Sequence, residues 1–196
     1  KLEGTVHVNM ALIIKFMANY FYNPGEFPEV PQRIDAVNDD FLFNQGPTKG
    51  LGKIQFHDYN IAYNSVDLPN VNIFKEQIGV LKDFLATATP DAEQAKDLDF
   101  LLTLGELFTL VAYGQLILEN KPIYEVDDDL TEQIFDFMIR DFSKYALQIY
   151  SKTSSTDKQQ ELCQKMIKKP VVDKERFERV LENHVYALKD QYFMNE

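Results

Sequence analysis

The chain is poor in the residues that most active-site chemistries require. Cysteine occurs once, as Cys163, so no disulfide can form within the chain. That usage fits a reducing compartment, and a cytoplasmic location is expected. Histidine is nearly as scarce. His7, His57 and His184 lie far apart and form no Glu-x-x-His or His-x-x-x-His pair, so no metal centre is expected. Positive charge is also short: 20 Lys and Arg stand against 31 Asp and Glu, a net charge of -11. Nucleic acid and anionic membrane surfaces attract clustered cations, so neither is expected as a partner. Internal repeats, low-complexity tracts and a signal-peptide pattern are missing too. Lys rather than Met holds the first position, and the start is expected to be a boundary within a longer protein.

What the chain does have is apolar content, 45% of 196 residues, enough for one sizeable core. The longest apolar run, Leu98 to Leu118, could be mistaken for a membrane span. It carries Asp99, Thr103, Glu106, Thr109 and Gln115, and each ionisable group would cost a few kcal/mol or more in hydrocarbon. Asp99, Thr103 and Glu106 fall at i, i+4 and i+7, one narrow polar stripe. The run is therefore expected to be a central bundle helix rather than a membrane span, its acids pairing with Lys or Arg of a neighbouring helix.

Apolar spacing predicts helices almost throughout, and the expected fold is an all-α antiparallel bundle. The first helix is expected from about Thr5 to Tyr22, stopped by Asn23-Pro24-Gly25. Residues 23–69 hold five of the eight prolines together with Phe27, Phe41, Phe43, Phe56, Tyr59 and Tyr63. A disordered linker would not carry so many aromatics, so this stretch is expected to be an ordered wrapping loop. A short strand is possible only near Lys53–Phe56. From residue 70 onward a helical extension is expected. Its first helix ends near Thr87. Thr89-Pro90-Asp91 reads as cap, proline and first-turn acid of the long helix, which Lys121-Pro122 ends. Asp127-Asp128-Asp129 opens the next, Thr156 with Gln159 caps a short one, and the last runs from Asp173 to about Phe193.

The chemistry concentrates at the start. Leu2-Glu3-Gly4-Thr5-Val6-His7-Val8 leads directly into the first helix. From these residues alone two readings stand: a carboxylate placed for proton abstraction, or Thr5 as helix cap with Glu3 a solvated acid before it. The segment resembles the aromatic-Glu-Gly-Thr-x-x-(Ile/Val) element of acyl-CoA dehydrogenases. The rest is similar to the C-terminal extension of the longer bacterial members. The similar stretches are Asn38-Asp39-Asp40-Phe41-Leu42-Phe43-Asn44-Gln45-Gly46-Pro47, Gly50-Leu51-Gly52-Lys53-Ile54-Gln55-Phe56-His57-Asp58, Lys96-Asp97-Leu98-Asp99-Phe100-Leu101-Leu102 and Gly105-Glu106-Leu107-Phe108-Thr109-Leu110. The resemblance covers essentially the whole chain. It divides the chain into residues 1–22, the end of the dehydrogenase helical domain, then the loop 23–69, then the extension 70–196.

The resemblance implies an FAD-dependent parent that converts acyl-CoA thioesters to trans-2-enoyl-CoA. Glu3 falls at the α-proton base and Gly4 beside the thioester. Thr5, Val6 and His7 fall at FAD contacts, often to the flavin held mainly by a partner subunit. Acyl-CoA, an electron-transfer flavoprotein and further copies of the chain are the implied partners. Leu2 replaces the usual aromatic and His7 a residue that is commonly Gln, which bears on chain-shape preference and on the flavin contact. This piece by itself is expected to bind no FAD and to serve as a packing and oligomerisation region. The alternatives are a stand-alone, non-catalytic helical interaction module and a parent of the acyl-CoA oxidase kind.

Other motifs are weaker. Gly46-Pro47-Thr48-Lys49-Gly50-Leu51-Gly52-Lys53-Ile54 fails the phosphate-loop spacing, and Ile54 stands where Ser or Thr must meet magnesium. Asp127-Asp128-Asp129 lacks the calcium-loop spacing and its downstream Glu. His184 is expected to be a hydrogen-bonded core or interface histidine, and Cys163 a mildly exposed thiol.

Overall fold

The computed structural model describes residues 13–25, 56–189 and 191. The base segment Glu3 to His7, most of the wrapping loop and Tyr192 and Phe193 lie outside the described residues. Seven α-helices follow in order: α1 (Met17–Tyr22), α2 (Tyr59–Tyr63), α3 (Pro69–Thr87), α4 (Leu98–Ile123), α5 (Asp128–Tyr150), α6 (Asp157–Met166) and α7 (Lys174–Val180). The described residues contain no strand, and the fold is all-α as expected.

Helix α5 is the hub, packing against α3, α4, α6 and α7. Its apolar positions Phe135, Met138, Ile139, Phe142, Ala146 and Ile149 follow a 3.6-residue period and are all buried. Phe74 of α3 meets Phe135 and Phe142 edge-on, with ring centroids 5.5 and 5.4 Å apart. This quadrupole-matched geometry is the favoured one for buried rings. Cross-contacts fix the directions. Lys152 reaches Asp97 while Lys121 reaches Asp128, so α4 and α5 are antiparallel. Gln77 meets Met166, and Gln159 meets Ala88, so α3 and α6 are antiparallel as well. Asn70 with Glu132 and Gln77 with Ile139 show that α3 and α5 run parallel, since α4 intervenes between them in the chain.

Several helix ends follow the local signals. Asp127 accepts from Leu130 N–H at 2.7 Å, and Thr156 with Gln159 forms a reciprocal capping box. Three ends differ from expectation. The long helix starts at Leu98, capped by Asp97, rather than at Pro90. Asp91 instead turns the chain by accepting from Glu93 and Gln94 N–H, and a 3-10 turn spans Gln94–Lys96. The buried Gln94 holds that turn in place through paired amide bonds with Gln159 at 2.8 and 2.9 Å. Pro122 does not stop α4. It lies in the last turn, and the helix closes one residue later, so its missing N–H removes a single bond. Glu125 at φ 51° then reverses the chain toward α5. The last helix leaves α geometry at Val180, where a π turn (Leu181–Val185) and a 3-10 turn (Tyr186–Leu188) follow. Of its expected apolar face, Val180 is buried, while Phe177, Val185 and Leu188 are exposed because no described element covers them.

Two further expectations are corrected. Cys163 is fully buried, and burial pushes its thiol up to about 12, away from the reactive range. The Asp99–Thr103–Glu106 stripe forms no ion pair with a Lys or Arg among the described residues. Lys152 pairs with Asp97, Thr103 donates to the Asp99 carbonyl, and Glu106 faces the Tyr145 hydroxyl.

A buried polar knot joins three elements. Leu68 precedes α3 and offers no side-chain cap, so the free Asn70 N–H takes the Glu132 carboxylate of α5 at 3.1 and 3.2 Å. Arg176 of α7 reaches the same carboxylate at 3.3 Å, Asp136 at 3.5 Å and the Val171 carbonyl at 3.1 Å. Asn70 completes the knot by bonding Val171 N–H at 2.8 Å. Burial raises the Glu132 carboxyl above its ordinary range, against the opposing pull of Asn70 and Arg176.

Gly114 of α4 marks a close approach. A Cβ there would collide with the Tyr63 hydroxyl, which donates to the Val111 carbonyl at 2.7 Å. Gly114→Ala is predicted to lose about 1–3 kcal/mol in urea unfolding, although alanine is the better helix former. Adding Tyr63→Phe should recover part of that loss, and simple additivity would refute the steric account. Arg176→Met is predicted to cost about 3–5 kcal/mol at neutral pH, because Glu132 and Asp136 then lose their buried counter-charge. The raised Glu132 carboxyl means that the folded state holds its proton more tightly than the unfolded one. The cost should therefore shrink as pH falls toward the ordinary glutamate range, and a cost that grows on acidification would refute this assignment.

Candidate functional site

Helix α4 carries an apolar stripe, Phe108, Ala112 and Leu116, at i, i+4 and i+8. The chain from Ile13 to Tyr20 lies beside it, and Phe56 and His57 close one end. Between them lies a cleft of about 510 Å³, within the size range of small-molecule pockets. Its walls are aromatic. Tyr20 stands 5.1 Å from Phe108, 5.6 Å from Phe56 and 5.3 Å from Tyr59, and Phe16 stands 5.7 Å from Phe56, centroid to centroid.

One polar relay crosses this wall. The Tyr20 hydroxyl donates to Gln115 Oε1 at 2.6 Å, and Gln115 Nε2 donates to Glu119 Oε1 at 2.7 Å. His57 Nδ1 lies 3.5 Å from the same carboxylate oxygen. Gln115 and Glu119 sit one helical turn apart, so α4 sets their spacing. Burial pushes the Tyr20 phenol well above the ordinary tyrosine value, and the nearby Glu119 carboxylate acts in the same direction. Tyr20 is thus held as a neutral donor. The arrangement gives an apolar floor with one anchored carboxylate and no activated nucleophile.

A second cleft, about 450 Å³, opens between α4 and α5 and is polar, with Asp99, Thr103, Glu106, Tyr145, Gln148 and Lys152 on its walls. Asp97 at its edge is held below the ordinary aspartate range by the Phe100 N–H it accepts and by Lys152. His184 is hydrogen-bonded as expected but is not a core residue. It is half-exposed and meets the Asp127 carboxylate at 2.6 Å. Among the described residues no three His, Cys, Asp or Glu side chains gather as a metal-binding group.

The candidate base Glu3, the substrate contact Gly4 and the flavin contacts Thr5, Val6 and His7 all lie outside the described residues. The Tyr20–Gln115–Glu119–His57 relay was not legible in the sequence. The only local signal was a Gln within an otherwise apolar run, followed one turn later by Glu119. No family model, curated protein or solved structure matches this chain.

The shifted Tyr20 phenol yields a pH prediction. Above about pH 10, the ordinary tyrosine value, the unfolded chain releases this proton and the folded chain retains it. Stability contributed by Tyr20 is therefore constant below that pH and falls as pH rises past it. The alkaline slope of the urea midpoint should be shallower in Tyr20→Phe, and an unchanged slope would contradict the assignment.

Proposed function

We propose that this chain is the C-terminal helical region of an FAD-dependent acyl-CoA dehydrogenase, and that its described helices serve as the packing and assembly part of that enzyme. The resemblance around Glu3-Gly4-Thr5 and along the extension supports the reading. The structural observation that carries it is the seating of α1. This helix, next in the chain after the base segment, buries Met17, Tyr20 and Phe21 among Tyr59 and Phe108. The described chain that follows the base segment is thereby seated on the extension's core.

In the intact enzyme Glu3 removes the α-proton of an acyl-CoA thioester, and Gly4 lets the backbone approach the thioester closely. FAD, when bound, supplies the acceptor for the β-hydride, giving the trans-2-enoyl-CoA, and an electron-transfer flavoprotein then takes the electrons. Thr5, Val6 and His7 are the residues of this chain that would touch the flavin. The one thiol on the described helices, Cys163, is buried. The open aromatic cleft beside α1, together with the exposed Tyr113 and Leu116 of α4, supplies the apolar surface on which the parent's body packs.

A second reading, a stand-alone helical interaction module, is favoured by the exposed Phe137, Val172 and Phe177 at the α5–α7 edge. One pair of experiments separates the two. In the longer protein, Glu3→Gln should abolish α-proton exchange of a bound acyl-CoA while flavin absorbance is retained, and surviving exchange would refute Glu3 as base. The chain of residues 1–196 expressed alone should be colourless and form no enoyl-CoA, and a stoichiometric flavin spectrum from it would refute the packing role.

A further inference from the structure

We infer that the niche on the outer face of α3 between Lys75 and Lys82 is a binding site for the phosphoryl group of a small phosphate ester. The inference stands independently of the dehydrogenase reading. Lys75 and Lys82 lie seven residues apart, on one face of the helix, with Gly79 between them. The three residues frame a niche of about 220 Å³, backed by Tyr59 and Tyr63 of α2.

Two lysines of an acidic chain share this place. Most described cations are matched by a carboxylate: Lys96, Lys121, Lys158 and Lys165, for example, each meet an acid within 3.0 Å. Lys75 and Lys82 are both half-buried, yet neither has a carboxylate within ion-pair distance among the described residues. Lys82 instead lies over the rings of Tyr22 and Tyr59, 5.6 and 5.7 Å from their centroids. Those contacts fix the ammonium's position without neutralising its charge. Of the acids beside them in sequence, Glu76 takes Lys168, and Asp83 is exposed and makes no ion pair with either lysine among the described residues.

Gly79 is the second observation. A glycine inside a helix costs about 1 kcal/mol relative to alanine. Elsewhere in this fold such a cost has a steric cause, as at Gly114. At Gly79 a Cβ would meet nothing within 4 Å. No described neighbour requires the missing side chain, and its absence opens the floor between two lysines. Space, one cation held over two rings, a second cation on one side of the niche and an uncrowded backbone together suit a compact, multiply charged anion. Lysine meets phosphate as a point charge, so two ammonium groups flanking one niche favour a dianion over a carboxylate.

The test is calorimetric titration of the full chain with inorganic phosphate at low ionic strength, with acetate as the carboxylate probe. Phosphate is expected to bind with Kd about 1 mM and acetate about tenfold more weakly. Lys75→Gln combined with Lys82→Gln should weaken phosphate binding about tenfold, while Lys144→Gln, remote on α5, leaves it unchanged. Gly79→Leu should block phosphate without lowering the melting temperature. Absence of saturable phosphate binding, equal binding of acetate, or retention of binding in the double lysine variant would each overturn the site. A melting temperature lowered by Gly79→Leu would show that the chain itself uses the space, and would overturn it as well.

Discussion

The arrangement of this bundle depends on a helix start that cannot cap itself. Helix α3 begins after Leu68, which has no side-chain acceptor to offer, and its Asn70 N–H would be buried unpaired. Glu132 supplies the missing acceptor from α5, 62 residues away. A carboxylate at a helix N-terminus is favourable, but this one is buried and needs a counter-charge. Arg176 provides it from α7, and the Asn70 side chain ties in Val171. One unsatisfied backbone donor thus dictates the parallel register of α3 on α5 and the docking of the chain's last described helix. An apolar contact could not impose the same geometry, because burial is non-directional whereas these bonds hold only over a few tenths of an ångström.

The same logic recurs at the other end of the bundle. Gln94 and Gln159 pair their amides, Gln159 reaches Ala88, and Gln77 bonds the carbonyls of Ile139 and Met166. Each buried amide joins helix ends or turns that the hydrophobic core alone would leave free to slide. The core sets compactness and the buried polar groups set register. Helix α4 differs: long and apolar enough to span a membrane by length and composition, it buries Phe100, Leu104, Leu107, Val111 and Leu118 in the bundle. Its remaining face lines the aromatic cleft. That face is one part of the fold where apolar surface exceeds what the described helices cover.

Much of the fold was legible before any coordinates. The caps Asp127 and Thr156, the end of α3 at Thr87 and the helical character of the Leu98–Leu118 run all followed from local pattern. The misread ends share a cause. Thr89-Pro90-Asp91 carries every local sign of a helix start, yet Gln94 is drawn into a bond with Gln159 and the chain turns instead. Lys121-Pro122 carries the sign of a helix end, but a proline in the final turn removes only one bond. Cys163 looked exposed because its helix is polar on average. It is the packing of α6 against α3 and α5 that buries that one position.

By itself the sequence determined the class of fold, the approximate limits of α3 and α5, the exclusion of internal disulfides and the net negative charge, but not α2, which lies inside the expected wrapping loop. These depend on composition and on interactions within one helical turn, which the order of residues expresses directly. Only the tertiary structure decided that Glu132 caps a distant helix, that Tyr20, Gln115, Glu119 and His57 gather at one wall, and that Lys75 and Lys82 frame one niche. Such facts arise where chain segments dozens of residues apart come within hydrogen-bond distance. That proximity is a property of the packed core, and no local spacing in the sequence records it.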